Sequence, residues 1–322
     1  MMQSSYLFNL FKKCKTSILS KLCVALLILI CVDFVTGKVI NHFYFIQTSG
    51  PEFVTSYAID KTKADILIFG SSRANHHYHP RVFEDKLHLT CFNAGRDGFD
   101  IFYHYAVLKT ILTRYKPKIA ILDLKTEEFK KMQSSYDQLS VLLPYYKNHP
   151  EIREIVQLKS RWERLRTFSQ ICPFNSTLSY IILGNTDFNR KRRNEINGYV
   201  PLTKQWKGPV NTYRVDNDYE LDPKKIKIYE NFIRDCLNSK IKLYIITSPY
   251  YVKYLNIDKS IELGHNIAEK YNIPYYDFSN DTTFINHPDL FSEKDKAHLN
   301  NAGAEILTTE IIEKYLKPTK QD

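Results

Sequence analysis

The chain has 322 residues, of which 43% are hydrophobic, 25% charged and 14% aromatic, so it is long enough for one large domain or two small ones. Glycine is scarce at 10 residues, and the apolar content is ordinary, which excludes collagen-like, low-complexity and disordered chains. The net charge of +10 lies partly at the N-terminus and permits an anionic glycan or lipid-headgroup substrate without requiring one. Nucleic acid binding is not expected, because no helix concentrates a basic stripe with interleaved aromatics.

The N-terminus contains a candidate membrane anchor. Residues Ile18 to Val35 are apolar apart from a serine, a lysine and an aspartate, and as a helix they would span about 27 Å, just enough for a hydrocarbon core. Four lysines precede the continuous apolar run and only Lys38 follows it. This asymmetry predicts a cytoplasmic N-terminus and an extracytoplasmic domain, periplasmic or on the cell surface. A cleaved signal peptide is the alternative, but Val35-Thr36-Gly37 is a poor cleavage site, so we favour an uncleaved single-pass anchor within residues 1–38.

After a predicted connector at residues 39–63, strands alternate with helices. Apolar runs predict five strands, at residues 65–70, 89–93, 118–124, 241–247 and 274–278. Helical periodicity and capping residues predict helices at residues 80–87, 100–112, 224–238, 259–271 and 301–316. This alternation predicts an α/β fold with one five-stranded parallel sheet covered on both faces.

An insertion separates the third and fourth predicted strands. Roughly 100 residues lie between them, far more than the usual connection of about 2–6. We therefore predict a mostly helical subdomain at residues 125–223, within a domain that spans residues 64–318. The insertion contains Arg190-Lys191-Arg192-Arg193, which is more typical of a solvated loop than of a site for an anionic substrate.

Polar residues follow the predicted strand ends, where parallel sheets bind their ligands. The first strand is followed by Gly70-Ser71-Ser72-Arg73 and the second by Asn93-Ala94-Gly95, whereas Asp295-Lys296-Ala297-His298 precedes the last helix. A serine hydroxyl becomes a nucleophile when an imidazole removes its proton and a carboxylate holds that imidazole. Ser72, His298 and Asp295 are therefore the predicted catalytic residues, and the backbone N–H groups of Ser72 and Gly95 are the predicted oxyanion donors.

This ordered set of motifs resembles the SGNH/GDSL hydrolase superfamily over residues 64–317. It is most similar to the membrane-anchored members that act in cell-envelope glycan acylation, such as the teichoic-acid D-alanyl transfer protein and polysaccharide O-acetyltransferases. The resemblance implies a flavodoxin-like three-layer αβα sandwich. It also implies that Ser72 is the nucleophile, that Ser71 replaces the family's Asp, and that His298 is the general base oriented by Asp295.

The third motif departs from the family pattern. The family usually places an Asn side chain in the oxyanion hole after the third strand, but this chain reads Asp123-Leu124-Lys125-Thr126 there. Thr126 and Lys125 are the alternative donors, or the hole has only two. We also predict that Arg73, Asn93 and Thr126 contact substrate, with an anchor for the helix start as the alternative role of Arg73.

Histidines and cysteines do not predict a metal or cofactor site. His76, His77 and His79 are close in sequence but lack a nearby cysteine or carboxylate at a recognised ligand spacing. Three cysteines lie in or beside the apolar segment, and the other three have no CxxC spacing, so we expect mostly buried thiols with at most one disulfide.

The sequence therefore predicts a serine-dependent esterase or acyltransferase that acts on ester-linked acyl groups. An extracytoplasmic polysaccharide is the expected substrate, by analogy of fold and anchor. The alternative is a non-catalytic glycan-binding or assembly partner of a membrane acyltransferase, which the missing Asn of the third motif favours.

Overall fold

Five short parallel strands form the central sheet of the computed structural model, which describes residues 18–186, 195–293 and 295–317. The strands are β1 (Ile66–Phe69), β2 (Cys91–Asn93), β3 (Ile119–Asp123), β4 (Lys242–Thr247) and β5 (Tyr275–Asp277). Their order is β2-β1-β3-β4-β5, and every neighbouring pair is parallel. This order is that of a flavodoxin-like sheet, so the predicted fold class is confirmed.

Helices cover both faces of this sheet. In chain order they are α1 (Ile18–Phe45), α2 (Pro51–Asp60), α3 (Ser72–His77), α4 (Pro80–Leu87), α5 (Ile101–Leu112), α6 (Gln133–Asp137), α7 (Arg153–Gln157), α8 (Glu163–Arg166), α9 (Leu178–Gly184), α10 (Pro223–Asn238), α11 (Lys259–Lys270), α12 (Thr282–Ile285) and α13 (Asn301–Ile311). A π-helical turn, Ile312–Leu316, extends α13. As predicted, Asp100 caps α5, its carboxylate accepting from the N–H of Phe102 at 3.2 Å.

Alternate residues of the strands belong to two different hydrophobic cores. Leu67 and Phe69 of β1 pack with α2, α5, α10 and α11 on one face. Ile66 and Ile68 pack with α4 and α13 on the other. Because both faces are covered, the strand residues are apolar in a continuous run, as the sequence pattern indicated.

Helix α1 continues beyond the apolar segment that predicted it. Of the helices described, it is the one long and apolar enough to cross a membrane. The predicted connector is itself helical over much of its length, because α1 reaches Phe45 and α2 follows. Tyr44, near the end of α1, is fully buried and its hydroxyl lies 3.1 Å from that of Tyr145 and 3.3 Å from Glu52. The orientation of α1 in a membrane and its retention stay predictions.

The inserted segment is mostly helical and shares the core of α2 and α5. Besides α6 to α9 it contains three 3₁₀ helices, Gln138–Tyr145, Pro150–Ile152 and Cys172–Phe174. Leu142 and Ile152 of this segment are buried in the same apolar cluster as Ile101. The insertion is therefore packed onto the sheet-and-helix body. Its basic run, residues 190–193, lies outside the described residues.

Two small strand pairs complete the described structure. Asn211–Tyr213 pairs with Val252–Tyr254 in parallel, and Phe291–Ser292 pairs with Asp295–Leu299 in antiparallel orientation. The second pair immediately precedes α13, whose cap Asn300 accepts from the N–H of Gly303 at 3.1 Å. It therefore places the segment that contains His298 beside the carboxyl edge of the sheet.

Candidate functional site

A tight turn at the end of β1 presents Ser72. Gly70 has φ +142°, and a Cβ at this position would lie 2.9 Å from Ala74 Cβ, Asp123 Cβ and the Asp123 carbonyl oxygen. Only glycine fits both the backbone angle and the space. The turn allows α3 to begin directly after the strand, so that Ser72 becomes the first residue of the helix.

Ser72 and His298 are in contact, although 226 positions separate them in the chain. The His298 Nε2 atom lies 2.7 Å from Ser72 Oγ, a normal hydrogen-bond distance. Both side chains are part-buried. The structure thus brings together two of the three residues that the sequence analysis singled out. The backbone of Asp295 lies in the same short strand as His298, but its side chain is not described, so its role stays a prediction.

Two further histidines flank the His298 ring. The ring centroids of His76 and His77 lie 5.1 Å and 5.8 Å from it, both in edge-to-face orientation. His77 is fully buried; its Nε2 accepts from the Leu299 N–H at 3.1 Å, and its Nδ1 lies 2.9 Å from Ser248 Oγ. Because a backbone N–H can only donate, the proton of His77 must be on Nδ1 and point to Ser248. His77 therefore holds the strand next to His298.

Arg73 holds the helix start and does not face the site. Its guanidinium is buried, lies 3.0 Å from the Asp123 carboxylate and donates to the carbonyls of Ser248 (3.1 Å) and Leu124 (2.8 Å). It also stacks over the Tyr250 ring at 4.2 Å. Burial lowers the pKa of Arg73, but the charge of Asp123 raises it further, so the net shift is upward. These contacts favour the alternative role, an anchor that ties α3 to β3 and β4, over the predicted substrate contact.

Asn93 also has a structural role. It is fully buried, its Nδ2 donates to the carbonyls of Ala74 (2.6 Å) and Tyr78 (3.1 Å), and its Oδ1 accepts from the Gly95 N–H at 3.0 Å. This burial and these hydrogen bonds favour a structural role for Asn93 over the predicted substrate contact. The Gly95 N–H points to Asn93, so Gly95 would serve as an oxyanion donor only if this bond broke.

Thr126 lies at a different cavity. Its N–H donates to the Tyr250 hydroxyl at 3.2 Å, and its own hydroxyl lies 3.1 Å from the same oxygen. It borders a cavity of about 320 Å³ whose described lining residues, among them Tyr254, Asp258 and Asp277, include neither Ser72 nor His298. The other predicted substitute, Lys125, donates to the Phe99 carbonyl at 3.3 Å. Neither residue replaces the missing Asn in this arrangement.

A smaller cavity borders the Ser72 helix itself. Asn75 and Gly95 line it together with Pro51, Val54, Arg96, Asp97, Phe99, Tyr180, Gly198 and Val200. Asn75 follows Ser72 by one helical turn, and its Nδ2 donates to Asp97 at 2.7 Å. His76 lies 3.7 Å from the same carboxylate. The sequence analysis missed Asn75 as a site residue, although its spacing of three from Ser72 on a helix was a usable signal.

Comparisons with known proteins add little to this geometry. Neither a family model nor a curated protein matches the chain. Among solved structures it is similar to a point mutant of the acetyl-xylooligosaccharide esterase Axe2 from Geobacillus Stearmophilus, with 11% identity, a TM-score of 0.38, and coverage of 78% of this chain and 94% of that one. The fold and the site define the class, an α/β protein with a flavodoxin-like parallel sheet and a serine–histidine pair at its carboxyl edge.

Proposed function

We propose that this protein is an SGNH-type serine esterase or acyltransferase, with Ser72 as nucleophile and His298 as general base. The observation that supports the proposal is the 2.7 Å distance between Ser72 Oγ and His298 Nε2. Ser72 could be an ordinary turn residue and His298 an ordinary loop residue. These separate explanations do not account for the contact between the two side chains. Nucleophile and base within hydrogen-bond reach are the minimum requirement for this chemistry.

In the proposed mechanism the Ser72 oxygen attacks the carbonyl carbon of an acyl ester while its proton passes to His298 Nε2. Asp295 orients the imidazole and stabilises its positive charge. The tetrahedral intermediate collapses to an acyl-serine, and His298 returns the proton to the departing alcohol. Water then releases the acyl group in an esterase, or a sugar hydroxyl accepts it in a transferase, so the catalytic residues are the same for both reactions.

The oxyanion of the intermediate needs hydrogen-bond donors that are already in place. The N–H of Ser72 is one candidate, because the first residue of a helix lacks a carbonyl partner within the helix. We propose the Asn75 side chain as the second, in place of the Asn that the third motif lacks. Asp97 accepts from its amide nitrogen and so fixes the orientation of the amide. One such donor is typically worth about 3–4 kcal/mol of transition-state stabilisation.

We further propose an ester-modified extracytoplasmic polysaccharide as the substrate. Support comes from the predicted topology of α1 and from the motif resemblance to envelope acylation proteins. In this setting a membrane acyltransferase would be the natural partner that supplies or uses the acyl group. The acyl group, its donor and its acceptor are three separate questions. Activity measured on a panel of acylated glycans would answer them.

A fluorophosphonate probe tests the proposal on the full-length protein in detergent. We expect covalent labelling that disappears in Ser72→Ala. The matched control is Ser71→Ala, which removes the neighbouring hydroxyl of the same turn and should leave the labelling intact. Labelling that survives in Ser72→Ala would assign the reactivity to another residue and overturn the proposed nucleophile.

The second candidate is a non-catalytic glycan-binding or assembly protein. It is favoured by the absent Asn of the third motif and by the Gly95 N–H, which is already bonded to Asn93. A folded protein that resists labelling at high probe concentration, yet binds acylated glycan, would support this function and reject the enzyme.

A further inference from the structure

The C-terminal half of α1, which we call its outer half, packs against the insertion at an acidic residue, Asp33. Asp33 lies within the apolar part of α1, and its carboxylate accepts from Ser169 Oγ (2.5 Å) and from the N–H groups of Gln170 (2.8 Å) and Ile171 (3.3 Å). Three donors of one loop thus surround the only acidic side chain of the apolar stretch. The loop 169–171 is therefore held at the level of Asp33.

The contact continues along the helix towards the domain. A Cβ on Gly37 would lie 2.2 Å from Gln170 Cβ, so the loop touches the backbone of α1. Farther along, Asn185 Nδ2 donates to the Phe43 carbonyl at 2.8 Å. Residues 33 to 43 correspond to about 15 Å of helix axis at 1.5 Å per residue. Over this length the insertion covers one face of α1, whereas residues 21–32 are exposed on all sides.

The length of α1 sets the depth of this contact in a bilayer. If Lys21 and Lys38 mark the two boundaries, the helix between them spans about 26 Å, close to the thickness of a hydrocarbon core. Asp33 then lies about 7.5 Å inside the outer boundary, since Lys38 follows it by five positions at 1.5 Å each. A carboxylate at that depth is costly unless protein groups solvate it. The loop 169–171 supplies those groups, so it must reach below the boundary as well.

Four large apolar side chains of the insertion are exposed, three of them shortly before this loop in the chain and one on α9, which packs against α1. We define the apolar patch as Trp162, Leu165, Phe168 and Ile182, which are all more than half exposed; Phe168, next to Ser169, has the largest exposure at 73%. So many large, exposed apolar side chains in the segments that adjoin a candidate membrane helix indicate an apolar environment around them. The Arg161 guanidinium stacks over the Trp162 ring at 4.6 Å, and an arginine and a tryptophan together suit the headgroup level of a bilayer.

We propose that the apolar patch is embedded in the lipid leaflet around the outer half of α1, so that the insertion is a second membrane contact. This inference rests on the proposed membrane anchor and not on the catalytic assignment. The patch residue Ile182 and the cavity residue Tyr180 belong to the same helix, α9. The leaflet contact therefore holds one wall of the cavity beside the Ser72 helix close to the bilayer surface.

The depth of single tryptophans in a bilayer tests this proposal. The chain has two tryptophans, Trp162 and Trp206, so a Trp162→Phe/Trp206→Phe background accepts one probe at a time. The full-length protein is placed in phosphatidylcholine nanodiscs with or without brominated acyl chains. We expect Phe168→Trp to lose most of its emission in the brominated lipid. Ile306→Trp is the matched control: an exposed site on α13, on the opposite face of the sheet, that should keep its emission.

A third probe, Phe34→Trp in α1, tests the membrane anchor separately from the leaflet contact of the apolar patch. Quenching of both Phe34→Trp and Phe168→Trp supports the leaflet contact. Quenching at position 34 alone leaves the anchor in place and overturns the lipid contact. An unquenched probe at position 34 overturns the anchor and the contact together. Fluorophosphonate labelling of Ser72 does not depend on any of these three results, so failure of the leaflet contact and failure of the proposed enzyme are distinguishable.

Discussion

The substitution Arg73→Ala distinguishes a structural arginine from a substrate-binding arginine next to the proposed nucleophile. The two roles predict different outcomes for this substitution. A substrate-binding role predicts a higher KM with unchanged stability. The observed contacts with Asp123, Ser248 and Leu124 predict a loss of stability instead.

The expected loss of folding stability follows from the groups that Arg73→Ala leaves without a partner. The side chains of Arg73 and Asp123 are 3% and 0% exposed, so removal of the arginine strands a buried carboxylate. Tyr78 still donates to Asp123 at 2.7 Å, and Thr247 still donates to the Leu124 carbonyl at 3.1 Å, which limits the damage. Breaking one partner of a buried ion pair typically costs about 3–5 kcal/mol. For a domain of this size that corresponds to a lower melting temperature by about 6–20 °C.

Thermal unfolding of the full-length protein in detergent measures this effect. Arg81→Ala, which removes an exposed arginine on α4, is the control and should change the unfolding free energy by no more than about 0.5 kcal/mol. In a double-mutant cycle, Asp123→Asn should recover part of the loss caused by Arg73→Ala, because it removes the stranded charge. A melting temperature equal to the parent's, combined with a raised KM, would refute the structural role.

Three further predictions concern Glu128, His298 and Asn75. Burial raises the pKa of Glu128 from 4.5 to about 7, so the folded state holds its proton more tightly than the unfolded chain, and stability should fall by about 3 kcal/mol as the pH rises from 4.5 through 7. Denaturant unfolding at several pH values should show this fall flattened in Glu128→Gln, and an equal fall in parent and variant would contradict it. His298→Ala should lower ester turnover by several orders of magnitude without a change in melting temperature, and near-normal turnover would reject His298 as the base. Asn75→Ala should lower kcat by about 10²–10³ with little change in KM, whereas an unchanged kcat would exclude it from the oxyanion hole.

The regular elements of this fold were predictable because their signals are local. Each strand of the sheet is a short apolar run near a turn residue, and α5 begins at the aspartate that caps it. The strand order was implied only by the flavodoxin-like fold of the family resemblance, since the alternation of strands and helices predicts a parallel sheet but not its order. The helices within the predicted connector at residues 39–63 have no such local signal, because Tyr44 and Ser56 are buried against Tyr145, which is distant in the chain.

The sequence by itself singled out the residues that we propose to carry the chemistry: the turn Gly70-Ser71-Ser72 and the later His298 predict a nucleophile and a base from their motifs alone. Only the tertiary structure decided which polar residues near them are free to act. Arg73 and Asn93 belong to the same motifs, but they satisfy buried carbonyls and a buried carboxylate, so their donors point inward. Asn75 joined the candidate site because a helix begins at Ser72 and carries it to the cavity wall. The physical reason is that hydrogen-bond partners far apart in the chain are chosen by packing, which local sequence patterns do not encode.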